Sequence, residues 1–144
     1  MGRTLALDVG DVRTGAAISD MLGITAQPAG VWERVGYKTD LENVRRLMKE
    51  YEIERIVVGH PINMDGTRGE RALFCERFAE KLRKDVTAEV VLYDERMTTM
   101  QAERALISAD VSRKKRKKVV DQMAAQLILS GWMAVHGGGG GITG

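Results

Sequence analysis

A chain of 144 residues, 44% hydrophobic and 29% charged, can bury one hydrophobic core but not two, so any site lies within one unit or between copies of it. Cys75 is the only cysteine, which excludes an intramolecular disulfide framework and a thiolate zinc cluster, and it reads as a small apolar residue on a helix face. No stretch approaches the ~20 apolar residues of a membrane span, and the opening MGRTLALDVG has no secretory core; a soluble protein of the reducing cytoplasm is expected.

Residues 4–9 and 14–20 are β-rich runs joined by Gly10, Asp11, Val12 and Arg13, the composition of a hairpin connection. A third extended segment is expected over residues 29–34. Leu41, Val44, Leu47, Met48 and Tyr51 then recur at helical spacing, with Thr39 and Glu42 as a capping box. Residues 56–59 form a continuous apolar run, as in a strand covered on both faces, ended by Pro61. After a loop over residues 63–69, in which Asn63, Asp65 and Gly66 have turn chemistry, a helix buries Cys75, Phe78, Ala79 and Leu82. Residues 90–93 predict another buried strand. Thr98 with Gln101 resembles a second capping box, opening a helix to about Ile107. The last helix is expected to bury Val120, Met123, Ala124, Leu127 and Ile128.

This order predicts an α/β domain, residues 1–136, in which an antiparallel three-strand meander feeds parallel crossovers and helices cover both faces of a mixed sheet. Residues 137–144, with five consecutive glycines, are expected to form a flexible tail without chemistry.

Three carboxylates stand out. Asp8 ends an apolar strand run, where a buried charge demands a partner or a metal, although aspartate also caps turns. Glu95 follows a buried strand, where open α/β sheets place functional groups; adjacent Asp94 competes with it, because neighbouring strand residues face opposite ways and only one can share a face with Asp8. Asp121 lies on the last helix, where Ala124 and Ala125 would let it approach the sheet; a helix-start aspartate favoured by the macrodipole is the plainer reading. If the three converge, their hard oxygens suit Mg²⁺ or Mn²⁺. Two such ions about 4 Å apart can support in-line displacement at a phosphate. The run RKKRKK over residues 113–118 ends three positions before Asp121. Beside a metal site it would attract a polyanion; a solvated helical face is the bland alternative.

Four blocks, LALDVGDVRTGAAISD, IVVGHPINMDGTRGERA, YDERMTT and KKVVDQMAAQLIL, together resemble the YqgF/RuvX family, described as Holliday junction resolvase-like and as a pre-16S rRNA nuclease. The resemblance spans residues 5–129. It implies a ribonuclease H-like fold and metal-dependent cleavage, with Asp8, Glu95 and Asp121 at the acidic positions, and so favours Glu95 over Asp94. Within the same blocks Arg13, Arg71, Arg96, Thr98, Thr99, Lys117 and Lys118 are candidate substrate contacts, since guanidinium forks, ammonium groups and hydroxyls donate to phosphate. The chain departs from the pattern at Thr14, Ala16 and His60. His60 could assist proton transfer or be a hydrogen-bonded loop histidine, whereas His136 is expected to take no part.

The reading implied is a nuclease acting on structured RNA at the 5′ end of the small-subunit ribosomal RNA precursor, as monomer or homodimer. A four-way DNA junction resolvase is the nearest alternative and ordinarily needs a symmetric dimer. A noncatalytic nucleic-acid-binding assembly protein is a second class. A sugar-kinase-type ATPase is a third, which needs two lobes where this chain has length for one.

Overall fold

The computed structural model describes residues 2–96 and 113–136, with side chains of the final helix described from Met123 onward. Its strands are β1 (Arg3–Val9), β2 (Arg13–Ser19), β3 (Ala26–Glu33), β4 (Ile53–His60) and β5 (Glu89–Asp94); its helices are α1 (Tyr37–Glu50), α2 (Glu70–Asp85) and α3 (Arg113–His136). The expected helix over residues 98–107 and the glycine-rich segment 137–144 lie outside the described residues. No described helix is long and apolar enough to cross a membrane.

The strands form one five-stranded sheet in the order β3-β2-β1-β4-β5. β1 is antiparallel to β2, and β2 to β3, whereas β1, β4 and β5 are parallel. This is the expected mixed sheet of a meander and crossovers. Strand alternation divides the core in two. Leu5, Leu7, Val9, Ile56, Val58 and Val90 pack toward α1 and α2, joining Val44, Leu47, Phe78 and Leu82. Ala6, Ala17 and Val57 face α3, against Ala125, Ile128, Leu129, Trp132 and Met133. The alanines on both sides of that layer let the helix lie close to the sheet.

Several boundaries and faces differ from expectation. β3 begins at Ala26 rather than residue 29 and runs through Pro28, which is tolerated because β3 is an edge strand that need not donate at every position. α1 begins at Tyr37, with Gly36 at its N-cap and no side-chain cap, so Thr39 and Glu42 do not form a capping box. Thr39 is already inside the helix, its carbonyl accepting from Asn43 Nδ2 at 2.9 Å. α3 buries Ala125, Ile128, Leu129, Trp132 and Met133, while Met123 is exposed, Ala124 and Leu127 are only partly buried, and the side chain of Val120 is outside the description. The segment is apolar nearly all round, so its own periodicity cannot say which stripe meets the sheet.

Cys75 is a buried residue on the inner face of α2, where burial pushes its thiol up to about 11. The loop before α2 is held by Asp65, whose carboxylate accepts from the Thr67 amide at 2.9 Å and hydroxyl at 2.6 Å. Gly66 supplies the positive φ that the turn needs. The turn reading of this loop therefore holds.

Candidate active site

The parallel strands β1, β4 and β5 end on one edge of the sheet, and their register decides which side chains meet there. Leu7 pairs with Val58, so one step further along β1 Asp8 lies beside Gly59, which in turn pairs with Tyr93. On its other side Asp8 pairs with Gly15 of β2. Both cross-strand neighbours of Asp8 are therefore glycines, and neither places a side chain beside its carboxylate. Alternation puts Asp8 on the face of Ala6, toward α3.

Glu95 follows the last residue of β5, and its amide donates to the His60 carbonyl at 3.3 Å, extending the β4–β5 pairing by one step. Two residues after Tyr93, which packs with the α3 cluster, it shares the face of Asp8. A Cβ placed on Gly59 would collide with Glu95 Oε2 and with Ile128 Cδ1. Glycine at 59 is thus the reason the Glu95 carboxylate can lie across β4 toward β1.

The electrostatics match. Burial, and then the negative charge of Asp8, push the Glu95 carboxyl up to about 7; Asp94 adds to the rise and Arg71 opposes it. Asp94, one position earlier, faces the other way and is occupied. Its carboxylate accepts from the Arg96 amide and side chain, with a shortest contact of 2.6 Å. Burial pulls the Asp94 pKa upward, but the hydrogen bonds from Arg96 outweigh it and hold the group below its ordinary value. The structure therefore separates the two adjacent acids: Glu95 faces Asp8, and Asp94 is an ion-pair partner.

Glu95 opens onto a cavity of about 660 Å³ whose walls include Pro61, Asn63 and Met64 of the loop after β4 and Gly69, Glu70 and Arg71 at the start of α2. Arg71 anchors there by donating to the Val9 carbonyl at 3.2 Å and lies 3.8 Å from Asp11. Arg13 is exposed at the start of β2, and Arg96 also reaches the Asn63 carbonyl at 3.4 Å. Thr98 and Thr99 lie outside the described residues. Asp121, Lys117 and Lys118 belong to α3, but their side chains are outside the description. Among the described residues no group of three His, Cys, Asp or Glu side chains stands together; Asp8 and Glu95 make two.

His60 lies on the opposite face of β4, with its Nε2 2.8 Å from Glu76 Oε2 of α2, and Glu76 is bound in turn by Arg68. It is a hydrogen-bonded histidine directed away from Asp8 and Glu95. His136 stacks on Trp132 at 4.5 Å, far along α3.

Sequence reasoning missed two supports of this site. One is the glycine pair Gly15 and Gly59, whose signal was a glycine inside an apolar strand. The other is Asp40, fully buried in α1. It accepts from Trp32 Nε1 at 2.8 Å, Thr14 Oγ1 at 3.2 Å, and Arg34 Nε and Nη2 at 3.2 and 3.1 Å. Arg34 also holds the hairpin after Asp8, its amide donating to the Val12 carbonyl at 2.9 Å. An aspartate in the first turn of an amphipathic helix gives no sequence sign of such burial.

A family model described as RuvX, Holliday junction resolvase, matches residues 2–135. A relative from Halalkalibacterium halodurans named "Putative pre-16S rRNA nuclease" is 52% identical over 133 residues, covering 91% of this chain and 95% of that protein. One of the same name from Carboxydothermus hydrogenoformans is 47% identical over 131 residues, with the same coverage, 91% and 95%. Among solved structures, RuvC from T. thermophilus in complex with a Holliday junction substrate matches at 15% identity with a TM-score of 0.51, covering 95% of this chain and 97% of that one. The fowlpox virus Holliday junction resolvase matches at 12% identity with a TM-score of 0.52, covering 93% and 99%. At those identities the structural likeness is one of fold, the ribonuclease H-like arrangement expected from the four blocks.

Proposed function

Because the chain belongs to the RuvX Holliday junction resolvase family, we propose that Asp8, Glu95 and Asp121 form the catalytic and metal-holding centre of a nuclease that processes the 5′ end of pre-16S rRNA. The chain is an enzyme that hydrolyses phosphodiester bonds. Its relatives' name motivates the ribosomal RNA substrate, and that substrate puts its work in the cytoplasm.

One observation carries the assignment of the site: Asp8 and Glu95 share a face across a glycine, where burial first and then the charge of Asp8 raise the Glu95 carboxyl to about 7. Two carboxylates held against their own repulsion at a partly desolvated edge are a donor set that a hard divalent cation relieves. Mg²⁺ or Mn²⁺ bound there would neutralise charge at the scissile phosphate and lower the pKa of the attacking water. The course of α3 supports Asp121 as the third ligand. Ile128 lies over Gly59, while Trp132, one turn later, lies under the Arg55 guanidinium at 4.9 Å, toward the start of β4. The preceding turns therefore head toward the strand ends that carry Asp8 and Glu95. Position 121 precedes Ile128 by about two turns, roughly 10 Å along the axis, and precedes Ala125 on the sheet-facing stripe by one.

The chain's own groups would orient the substrate. Arg71, beside both Asp11 and Glu95, supplies a guanidinium for a phosphate flanking the reacting one. Arg13 and Arg96, together with Thr98, Thr99, Lys117 and Lys118 from the family blocks, are the further groups proposed to donate to the substrate backbone. The test offers the protein a 5′-extended ribosomal RNA precursor, a four-way DNA junction and linear duplexes, each with Mg²⁺, Mn²⁺ or chelator. Metal-dependent cleavage of the precursor, abolished by Asp8→Asn, Glu95→Gln and Asp121→Asn, is the expected result. Equal cleavage by the variants would assign the activity to a contaminant. Paired cuts in the junction alone, made by a dimer, would move the substrate to DNA.

A further inference from the structure

A second cavity, of about 510 Å³, adjoins the one that holds Glu95 and shares Glu70 and Arg71 with it. It lies on the α2 side of the β1–β2 hairpin, and its size suits one nucleotide-sized ligand. Val9, Leu73 and Phe74 supply apolar lining, and Arg34, Arg71 and Arg77 bring three guanidinium groups. One wall is fixed in advance: the Arg34 guanidinium lies 4.5 Å from the centre of the Phe74 ring and is clamped by the fully buried Asp40 at 3.1 Å.

The charges decide what this cavity takes. Arg34 is neutralised by Asp40, Arg71 stands 3.8 Å from Asp11, and Glu70 lines the cavity along with Arg77. A phosphate placed here would face the Asp11 and Glu70 carboxylates. A flat neutral ring bearing both donors and acceptors matches the apolar lining, the guanidinium planes and the carboxylates together. Unpaired bases are recognised in this way, by stacking on aromatic or guanidinium planes and by hydrogen bonds along their edges.

We propose that this second cavity receives the base of an unpaired nucleotide beside the scissile bond, so that cleavage is directed to a single-stranded flank. A base inside a duplex is stacked and paired and would have to be flipped out to enter. The inference rests on the nuclease reading for its account of the neighbouring cavity, but binding tests it without turnover.

The experiment walks an abasic site and, separately, the fluorescent base 2-aminopurine along a short single-stranded RNA and its DNA counterpart, and measures affinity for the intact protein. An abasic site at one position lowers affinity about tenfold, the size of one base's stacking contribution, and 2-aminopurine at that same position changes its emission on binding. Leu73→Arg, which fills the partly exposed mouth, and Arg77→Ala both erase this position dependence. Affinity indifferent to every abasic position overturns the proposal, as does undiminished discrimination by Leu73→Arg. Cleavage without abasic sensitivity sinks the base pocket alone. Abasic sensitivity without cleavage sinks only the nuclease reading.

Discussion

Replacing Glu95 by glutamine should stabilise the metal-free protein above neutral pH while destroying its activity. Burial and the nearby Asp8 charge raise the Glu95 carboxyl from 4.5 to about 7. At about 1.4 kcal/mol per pKa unit, the ionised form is disfavoured in the folded state by roughly 3 kcal/mol. Because the folded pKa is raised, this stability is fully present below about pH 4.5 and is lost as the pH climbs to 7. Glutamine cannot ionise and escapes the loss. Glu95 is only partly buried, so solvent screening reduces the expected gain to roughly 1–3 kcal/mol at pH 8. Urea unfolding in chelator measures it. With an m-value of about 2 kcal/mol/M the midpoint of Glu95→Gln should exceed wild type by roughly 0.5–1.5 M at pH 8 and match it near pH 4.5. Divalent cation should narrow the gap at pH 8 by binding the wild-type carboxylates. A glutamine variant that tracks wild type at every pH, or is weaker at pH 8, would refute the claim that burial and the Asp8 charge together disfavour the ionised Glu95 carboxylate in the folded state.

Gly59→Ala drives a methyl group into Glu95 and Ile128 and should cost about 1–3 kcal/mol, read by thermal unfolding, together with a fall in kcat as Glu95 is displaced. Asp40→Ala leaves Arg34 and Trp32 without their buried acceptor and should cost roughly 3–5 kcal/mol in chemical denaturation; a loss below 1 kcal/mol would show the cluster to be incidental. Replacing the lysines and arginines of residues 113–118 should weaken binding to all nucleic acid sequences alike and flatten the salt dependence of the affinity. An unchanged slope in a salt titration would remove this run from the interface.

Local signals carried the chemistry of elements but not their mutual placement. The hairpin residues 10–13, the capping-free apolar run of β4, the inner face of α2 and the Asx turn at Asp65 were legible because each is set by residues adjacent in sequence or repeating at a helical or strand period. The stripe of α3 was not, because a helix apolar nearly all round has no preferred face until a sheet is laid against it. The start of α1 was misread for a related reason: Thr39 and Glu42 have the right spacing, but the buried demand of Trp32, Arg34 and Thr14 for one acceptor set Asp40 inside the helix. Strand parity could say that only one of Asp94 and Glu95 faces Asp8; the choice between them came in sequence only through family resemblance.

The sequence by itself determined the order of the described elements, the mixed α/β architecture and a short roster of acids, since periodicity, turn residues and a charge within an apolar run are local properties of the chain. Only the tertiary structure decided that Asp8 and Glu95 share a face, that Asp94 is engaged by Arg96, that His60 points to Glu76, and that Gly15 and Gly59 clear the space between strands. Those facts depend on register between strands up to 87 positions apart, from Asp8 to Glu95. Sequence spacing does not encode such a register; the burial of both sheet faces selects it.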